Sequence, residues 1–108
     1  MAYDEILAAR VRSAPANPGL LEKKMFGGIG FLLDGNMACG VHQGSLMVRV
    51  GPQQHESALA QPGVRPFDLT GKPMAGWVLV DSKGFASDDD LNHWVKLGVA
   101  YAATLPAK

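Results

Sequence analysis

The clearest pair of chemically active side chains in the sequence is Cys39 and His42, which form a C-x-x-H pair. A thiolate and an imidazole can ligate zinc, and a histidine beside a cysteine can activate it as a nucleophile. A structural zinc site needs four ligands, whereas His55 and His93 are distant in sequence and belong to no second pair. Side chains three positions apart in a strand point to opposite faces, so catalysis requires a turn that redirects His42. We interpret Cys39 as a buried thiol and His42 as a turn residue.

The glycine-rich run FGGIGF resembles a phosphate-binding loop in composition alone. It contains neither G-x-G-x-x-G leading into a helix nor G-K-[ST], and more apolar sequence follows it. Gly27, Gly28 and Gly30 are therefore expected to bend a strand or to let another backbone or helix come close.

Three consecutive carboxylates, Asp88–Asp90, are the remaining candidate ligands for a metal ion. Consecutive side chains on a helix diverge by about 100° each, so these three do not converge on one cation. They suit the first turn of a helix, where the helix dipole favours negative charge. No Ser-His-Asp arrangement is recognisable, and we predict no catalytic residue, no cofactor and no metal ligand.

Composition restricts the class of protein. The chain has 108 residues, which suits one domain spanning 1–108. Ten basic and ten acidic side chains give zero net charge, whereas nucleic-acid binding domains usually carry a basic excess. One cysteine excludes an intrachain disulfide and suits the reducing cytoplasm. The N-terminus lacks a secretory signal and no run approaches the roughly 18 apolar residues of a membrane span, so we expect a cytoplasmic protein without membrane segments.

The stretch from Lys24 to Val50 must position any site, because it carries the strongest structural pattern. Apolar runs at 25–33, 37–41 and 46–50 are separated by Asp34-Gly35-Asn36 and by His42-Gln43-Gly44. Tight reversals need positive φ angles, which glycine adopts at little cost. The pattern predicts a three-stranded antiparallel meander.

Helices and a second hairpin are predicted around this meander. Helix signals cover Asp4–Ser13, Pro52–Ala60 and the segment from the N-cap Ser87 to Pro106, and strand signals cover 64–69 and 77–80. Proline at 66 cannot donate a hydrogen bond to a neighbouring strand, which places its strand at an edge of the sheet. Leu20 and Leu21 are expected to pack on the core. The predicted fold is α+β, with two layers, a five-stranded antiparallel sheet, helices on one side and the order α-β3-α-β2-α.

Two sets of residues could form an interaction surface. Lys23, Lys24 and Arg49 could form a basic patch for nucleic acid, although a solvated surface is the commoner meaning of such residues. Methionines suit adaptable binding faces as well as irregular cores, and tryptophans suit a core or a dimer interface. The residues concerned are Met25, Met37, Met47, Met74, Trp77 and Trp94.

The order of several short motifs resembles the TfoX/Sxy N-terminal domain family over about residues 20–105. The motifs are K-M-F-G-G, L-M-V-R-V, P-F-D, G-x-P-M and W-V, and the matching residues are Met25, Phe26, Gly27, Gly28, Gly30, Leu46, Val48, Pro66, Phe67, Met74 and Trp94. The resemblance implies an α-β3-α-β2-α fold similar to type III secretion chaperones, a fold type that commonly dimerises. Named members of the family regulate natural competence together with a cyclic-AMP-dependent transcription activator and carry an additional C-terminal helical domain. The family brings no catalytic residue.

We therefore expect a non-enzymatic cytoplasmic interaction domain, homodimeric, which binds a protein partner and acts as an accessory to transcription regulation. The alternative is direct nucleic-acid binding through the basic patch, and a small-molecule pocket or enzyme site near Cys39 and His42 is the weakest hypothesis. The candidate interaction residues are Lys24, Met25, Phe26, Gly27, Gly28 and Arg49.

Overall fold

The computed structural model describes residues 4–25, 28–67 and 74–107. These residues form three α-helices, six strands and one 3-10 helix. In chain order the elements are α1 (Glu5–Ser13), β1 (Leu21–Met25), β2 (Gly28–Leu33), β3 (Asn36–His42), β4 (Ser45–Arg49), α2 (His55–Leu59), β5 (Val64–Pro66), β6 (Trp77–Val80), the 3-10 helix (Ser82–Phe85) and α3 (Asp88–Ala102).

The strands form one antiparallel sheet in the order β1-β2-β3-β4-β6-β5. The α+β class and the antiparallel sheet are confirmed, but the predicted count of five strands is wrong. The meander has four strands rather than three, so the order of the elements is α-β4-α-β2-α.

The additional strand is β1; the sequence analysis assigned no strand before residue 25 and placed only Met25 of β1 in a strand, together with residues 26–33. The apolar run at 25–33 is not one strand, because β1 ends at Met25 and the antiparallel β2 begins at Gly28. Three of the five residues of β1 are charged, so hydrophobicity does not mark it. An edge strand tolerates such residues because only one of its sides is paired. Phe26 and Gly27, which were predicted to lie within a strand, are outside the described residues.

The two predicted reversals of the meander are confirmed, and each relies on positive φ angles. Asp34 and Gly35 have φ angles of 51° and 85° between β2 and β3, and Gln43 has a φ angle of 53° between β3 and β4. Two-residue hairpin loops favour these conformations because their twist matches that of the strands. A register shift at Phe31/Leu32 accommodates one extra residue in β3.

The helices lie on one side of the sheet, which gives the two predicted layers. Alternate residues of the central strands meet α1 and α3 in one apolar core, which also contains Ala58 of α2 and Phe85 of the 3-10 helix. The largest fully buried side chains of this core are Leu7, Val11, Phe31, Val41, Leu46, Val48, Val78, Val80, Trp94 and Val95. The helix-facing side of the sheet is thus the one that folding covers.

Polar contacts fix α1 and α3 to their surroundings. Arg10 donates to the carbonyl oxygen of Phe85 at 2.9 Å, and Trp94 Nε1 donates to the carbonyl oxygen of Gly84 at 2.9 Å. Arg12 donates two hydrogen bonds of 2.7 Å to Glu22, and these bonds lower the pKa of the Glu22 carboxyl. Because Glu22 belongs to β1, the Arg12 contact also marks the side of the sheet on which α1 lies.

The end signals of the helices are confirmed in part. Asp4 accepts from the backbone N–H of Leu7, and Ser87 accepts from that of Asp90, as expected for N-caps. The predicted helix 52–60 is shorter, since α2 covers only His55–Leu59, and α3 ends at Ala102 rather than near Pro106.

The predicted strand 64–69 is observed at Val64–Pro66, at an edge of the sheet as expected. Residues 68 and 69 are outside the described part.

Gly98 permits a close approach between the helix layer and the sheet. A Cβ atom at this position of α3 would collide with the carbonyl oxygen of Ala38 in β3, which is the extra residue of the irregular register. The helix therefore lies directly on the backbone of the central strand. A side chain of any size requires α3 or β3 to move.

We predict that Gly98→Ala destabilises the fold. Helix propensity alone would make this change stabilising by about 1 kcal/mol, whereas overpacking typically costs about 1–3 kcal/mol. The sign of the change in unfolding free energy, measured by urea denaturation, distinguishes the two effects. Ala100→Gly, at an exposed position of the same helix, should cost only the propensity term and serves as the control. A more stable Gly98→Ala protein would show that the close approach is not required.

Candidate interaction surface

The side of the sheet that faces away from the helices carries a stripe of half-exposed side chains. The register aligns Leu21 with Leu32 and Leu32 with Met37, and it aligns Arg49 with Trp77. The two groups are joined through the neighbouring row of the same face, in which Lys23, Gly30, Gly40, Met47 and Leu79 are directly opposite one another. Each of the five residues lies two positions further along its strand than the member of that row, or three in β3 because of the extra residue there, so they follow the same face across β1, β2, β3, β4 and β6. We call them the stripe. Among the described residues, no helix covers this open face.

The most exposed member of the stripe is Leu21, whose exposed fraction is 70%. The prediction that Leu21 packs on the core is wrong, whereas its neighbour Leu20 is buried as expected. Alternation along β1 explains the difference, because the strand lies at the edge of the sheet and the two leucines point in different directions. An exposed leucine continuous with other apolar side chains is more informative than an isolated one.

Arg49, the fourth of the five stripe residues, contacts two aromatic rings. Its Cζ atom is 5.4 Å from the centroid of the Trp77 ring and 5.5 Å from that of Tyr101, which reaches it from α3. Both distances suit a cation–π interaction. Among the described residues, no carboxylate lies within ion-pair distance of Arg49. The rings therefore hold the guanidinium in place while its charge is left without an acidic partner in this part of the chain.

A small apolar cluster supports the stripe from within the sheet. Met47, Leu79 and Phe67 are buried, and Met37 and Trp77 pack against them. Gly40 makes room for this cluster, since a Cβ atom there would lie 2.7 Å from the Cε methyl groups of both Met37 and Met47. The half-exposed Met37 and Trp77 thus rest on a packed base, which limits their freedom before any partner binds.

A polar group occupies the open face next to β5. Arg65 lies 3.3 Å from both carboxylate oxygens of Asp81, and the hydroxyl of Ser45 donates to Asp81 at 3.1 Å. The charge of Arg65 is therefore matched by Asp81. Within the described residues of the open face, Lys23 and Arg49 are the cations that form no ion pair.

The candidate interaction residues of the sequence analysis do not form one group. Lys24 lies in β1, and Gly28 begins β2, where a Cβ atom would collide with the carbonyl oxygen of Val41. Met25 closes β1 opposite Gly28, and Phe26 and Gly27 are outside the described residues. The expectation that a backbone approaches this glycine run closely holds at Gly28, and the approaching backbone is that of the domain's own strand β3.

The strand register also separates the residues of the predicted basic patch. Lys23 aligns with Gly30 on the open face, whereas Lys24 aligns with Ile29, which faces the helices. Arg49 lies on the open face, but three strand spacings of about 4.8 Å, or about 14 Å in all, separate its strand from β1. The structure therefore does not bring the three cations together.

The surroundings of Cys39 do not suit a reactive thiol. Cys39 is fully buried on the helix-facing side, and burial raises the pKa of its thiol to about 12. His42 lies three positions further along the regular strand β3 and therefore on the other face of the sheet. Among the residues that the structure describes, no three or more His, Cys, Asp or Glu side chains are grouped as metal ligands would be.

Sequence reasoning missed two of the five stripe residues and did not group the other three, because the members come from five separate strands. Met37 and Trp77 were noted as residues of a binding face or dimer interface, but Leu21 and Leu32 were not. Leu21 directly follows the core residue Leu20, and Leu32 directly follows the core residue Phe31. Alternation with a core residue is therefore the signal that places each leucine on the open face. That signal becomes readable only when the register of all the strands is known.

Comparison with known proteins identifies the family. The sequence model of the TfoX N-terminal domain matches residues 15–102. The chain belongs to the TfoX N-terminal domain family. Searches among curated proteins and among solved structures give no match.

The TfoX N-terminal domain match spans the sheet and all of α3. It begins after α1 and ends at Ala102, where α3 ends. The family match therefore contains the complete stripe and the glycine contact between α3 and β3. Within the described ranges, no helix combines the length and the apolar character needed to cross a membrane.

We predict that Cys39 does not react with a thiol reagent such as DTNB at pH 8 while the protein is folded. Burial makes the sulfur inaccessible to the reagent. Burial also raises the pKa of the folded thiol from 9.0 to about 12, so little thiolate is present at pH 8. Unfolding in guanidinium should release one thiol per chain. Because the unfolded thiol ionises first, this group removes stability as the pH rises from 9.0 towards 12. Rapid labelling of the folded chain would reopen a catalytic role for Cys39.

Proposed function

We propose that this TfoX N-terminal domain is a non-enzymatic interaction domain that binds a protein partner through the stripe and acts in the cytoplasm as an accessory to transcription regulation. The observation that carries the proposal is an apolar, half-exposed row on the open face, with an aromatic-held arginine next to its Trp77 end. Arginine and tryptophan are enriched among the residues that dominate the energy of protein interfaces. The family match supports a TfoX-like role in regulation.

Direct nucleic-acid binding has weaker support. Lys24 faces the helix side, and Lys23 and Arg49 are the cations without an ion pair among the described residues of the open face. Phosphate contacts need several cations along one path. Binding to single strands also uses exposed aromatic rings as stacking platforms. Here the Trp77 ring already contacts the Arg49 guanidinium, and its centroid lies 5.6 Å from that of the buried Phe67 ring. The ring is therefore engaged by side chains of its own chain rather than presented as a stacking platform.

The interaction proposal is tested by comparing Leu21→Asp with Ile6→Asp. Both residues are exposed apolar side chains, at 70% and 78%, but Leu21 lies on the stripe and Ile6 lies on α1 in the helix layer. A charge buried at an interface without a partner costs several kcal/mol. We expect a strain that lacks the gene to regain its normal transcript profile with the wild-type chain and with Ile6→Asp, but not with Leu21→Asp.

The same comparison measures partners directly by quantitative affinity purification. The proteins recovered with the wild-type chain should be retained by Ile6→Asp and lost by Leu21→Asp, with thermal unfolding showing that both variants fold. Equal recovery and equal transcript profiles for the two variants would exclude the stripe as the functional surface.

Self-association is a second part of the proposal and uses a different surface. β1 is an edge strand of five residues, and the opposite edge strand contains Pro66, which cannot donate a hydrogen bond. Antiparallel pairing of two copies of β1 centred on Lys23 sets Glu22 of each copy opposite Lys24 of the other. Opposite charges at such positions stabilise a strand pair. The same alignment sets Lys23 of one copy opposite Lys23 of the other, which opposes pairing.

We predict a homodimer that Lys24→Glu converts to a monomer, because this change places two carboxylates opposite each other. Sedimentation velocity at several protein concentrations measures the change. Lys96→Glu makes the same charge change at an exposed position of α3 and should leave the dimer intact. A wild-type chain that is monomeric at all concentrations, or a dimer unaffected by Lys24→Glu, would contradict pairing through β1.

A further inference from the structure

The charges of the two sides of the sheet are arranged unequally. Among the described residues, the open face carries the cations Lys23, Arg49 and Arg65, and the one carboxylate close to it, Asp81, is held by Arg65. Asp34 lies in the exposed turn beyond β2 and forms no ion pair with a described cation. In the described part of the chain, positive charge therefore exceeds negative charge on the open face, whereas acidic groups are present in the helix layer. Asp88–Asp90 at the start of α3 are among them.

From this arrangement we propose that the partner presents an acidic apolar segment, whose carboxylate pairs with Arg49 while its apolar side chains cover Leu21, Leu32 and Met37. The inference rests on the proposed interaction function and specifies the chemistry of the ligand. Arginine suits a carboxylate because its planar guanidinium can donate two parallel hydrogen bonds. The Trp77 and Tyr101 rings hold that plane before binding.

The dimensions of the stripe limit the segment. Five strands are crossed, so four spacings of about 4.8 Å give a length of about 19 Å. A helix rises about 1.5 Å per residue, so about 13 residues of an amphipathic helix match this length. A peptide of ordinary size can therefore contact Leu21 at one end and Trp77 at the other. Its carboxylate would lie towards the β4 end of the contact, where Arg49 is.

A second copy of the chain stacked face to face on the stripe does not satisfy these charges. Under twofold symmetry the same patch occupies both sides of the contact, and among the described residues this patch offers Arg49 no free carboxylate, because Asp81 is held by Arg65. Like charges in an interface cost free energy and act against the wrong partner. Self-pairing through β1 involves the edge of the sheet and leaves the stripe uncovered, so the two interactions are compatible.

The test uses a phage-displayed library of random peptides of about 16 residues, long enough for the stripe in either a helical or an extended conformation. The library is selected on the full chain, and the enriched peptides are synthesised and titrated by calorimetry. We expect net negative peptides with several apolar residues. Their affinity should fall about tenfold or more on Arg49→Glu, as is usual when a partner of a buried charge pair is removed. Lys96→Glu makes the same charge change at an exposed position of α3 and should leave the affinity unchanged.

A charge exchange separates a direct contact from a structural effect of the substitution. Replacing the critical acidic residue of a peptide by lysine should weaken its binding to the wild-type chain and restore binding to Arg49→Glu. If thermal unfolding shows that Arg49→Glu does not fold, Arg49→Gln replaces it, and the loss for acidic peptides should then exceed that for neutral ones.

The outcomes distinguish failure of this inference from failure of the proposed function. Peptides without acidic bias that bind Arg49→Glu normally but lose binding to Leu32→Asp would retain the interaction domain and overturn the acidic ligand. If none of the selected peptides depends on the stripe for binding, both the acidic ligand and the interaction domain are overturned. Oligothymidylate that competes with the peptides and loses binding on Arg49→Glu would assign the face to nucleic acid instead.

Discussion

The contact between Gly98 of α3 and the backbone of Ala38 in β3 determines how the rest of the molecule is arranged. A helix that lies directly on a strand, without a side chain between them, fixes the distance between the two layers. Trp94, Val95 and Ala102 of the same helix then enter the core at depths set by that distance. The missing Cβ of one glycine therefore decides how completely the helices cover one side of the sheet.

The side of the sheet that the helices do not cover is packed by a different and smaller set of side chains. Along the open face, Gly30 and Gly40 stand directly opposite each other, so two strands contribute no side chain at that level. The methionines of neighbouring positions extend over Gly40 and close the base of the surface. What then reaches solvent is the stripe, in which Arg49 is held by rings that belong to both layers of the fold. The proposed binding surface thus depends on the position of α3, because α3 supplies Tyr101.

The boundaries of the elements show which physical signals are local. The N-caps Asp4 and Ser87 and the turn Asp34-Gly35 were all recognisable, because each depends on the backbone preferences of a few adjacent residues. β1 was not recognised, since the burial of an edge strand is decided by what pairs with it rather than by its own hydrophobicity. The sequence analysis assigned no strand to residues 21–24 and placed Met25 in the same strand as residues 28–33. It therefore predicted five strands rather than six.

The α+β class, the terminal helix, the turns of the meander and the family could be recognised from the amino-acid sequence, because they depend on periodicity, turn chemistry and short motifs. Which residues meet on the open face depends instead on the folded sheet. Lys23 and Lys24 are neighbours in sequence yet belong to opposite faces, whereas Leu21 and Trp77 are distant in sequence and share one face. A shift of one residue in register moves every side chain of a strand to the other face. Register is set by the whole sheet, and the candidate surface could therefore not be assembled from the sequence.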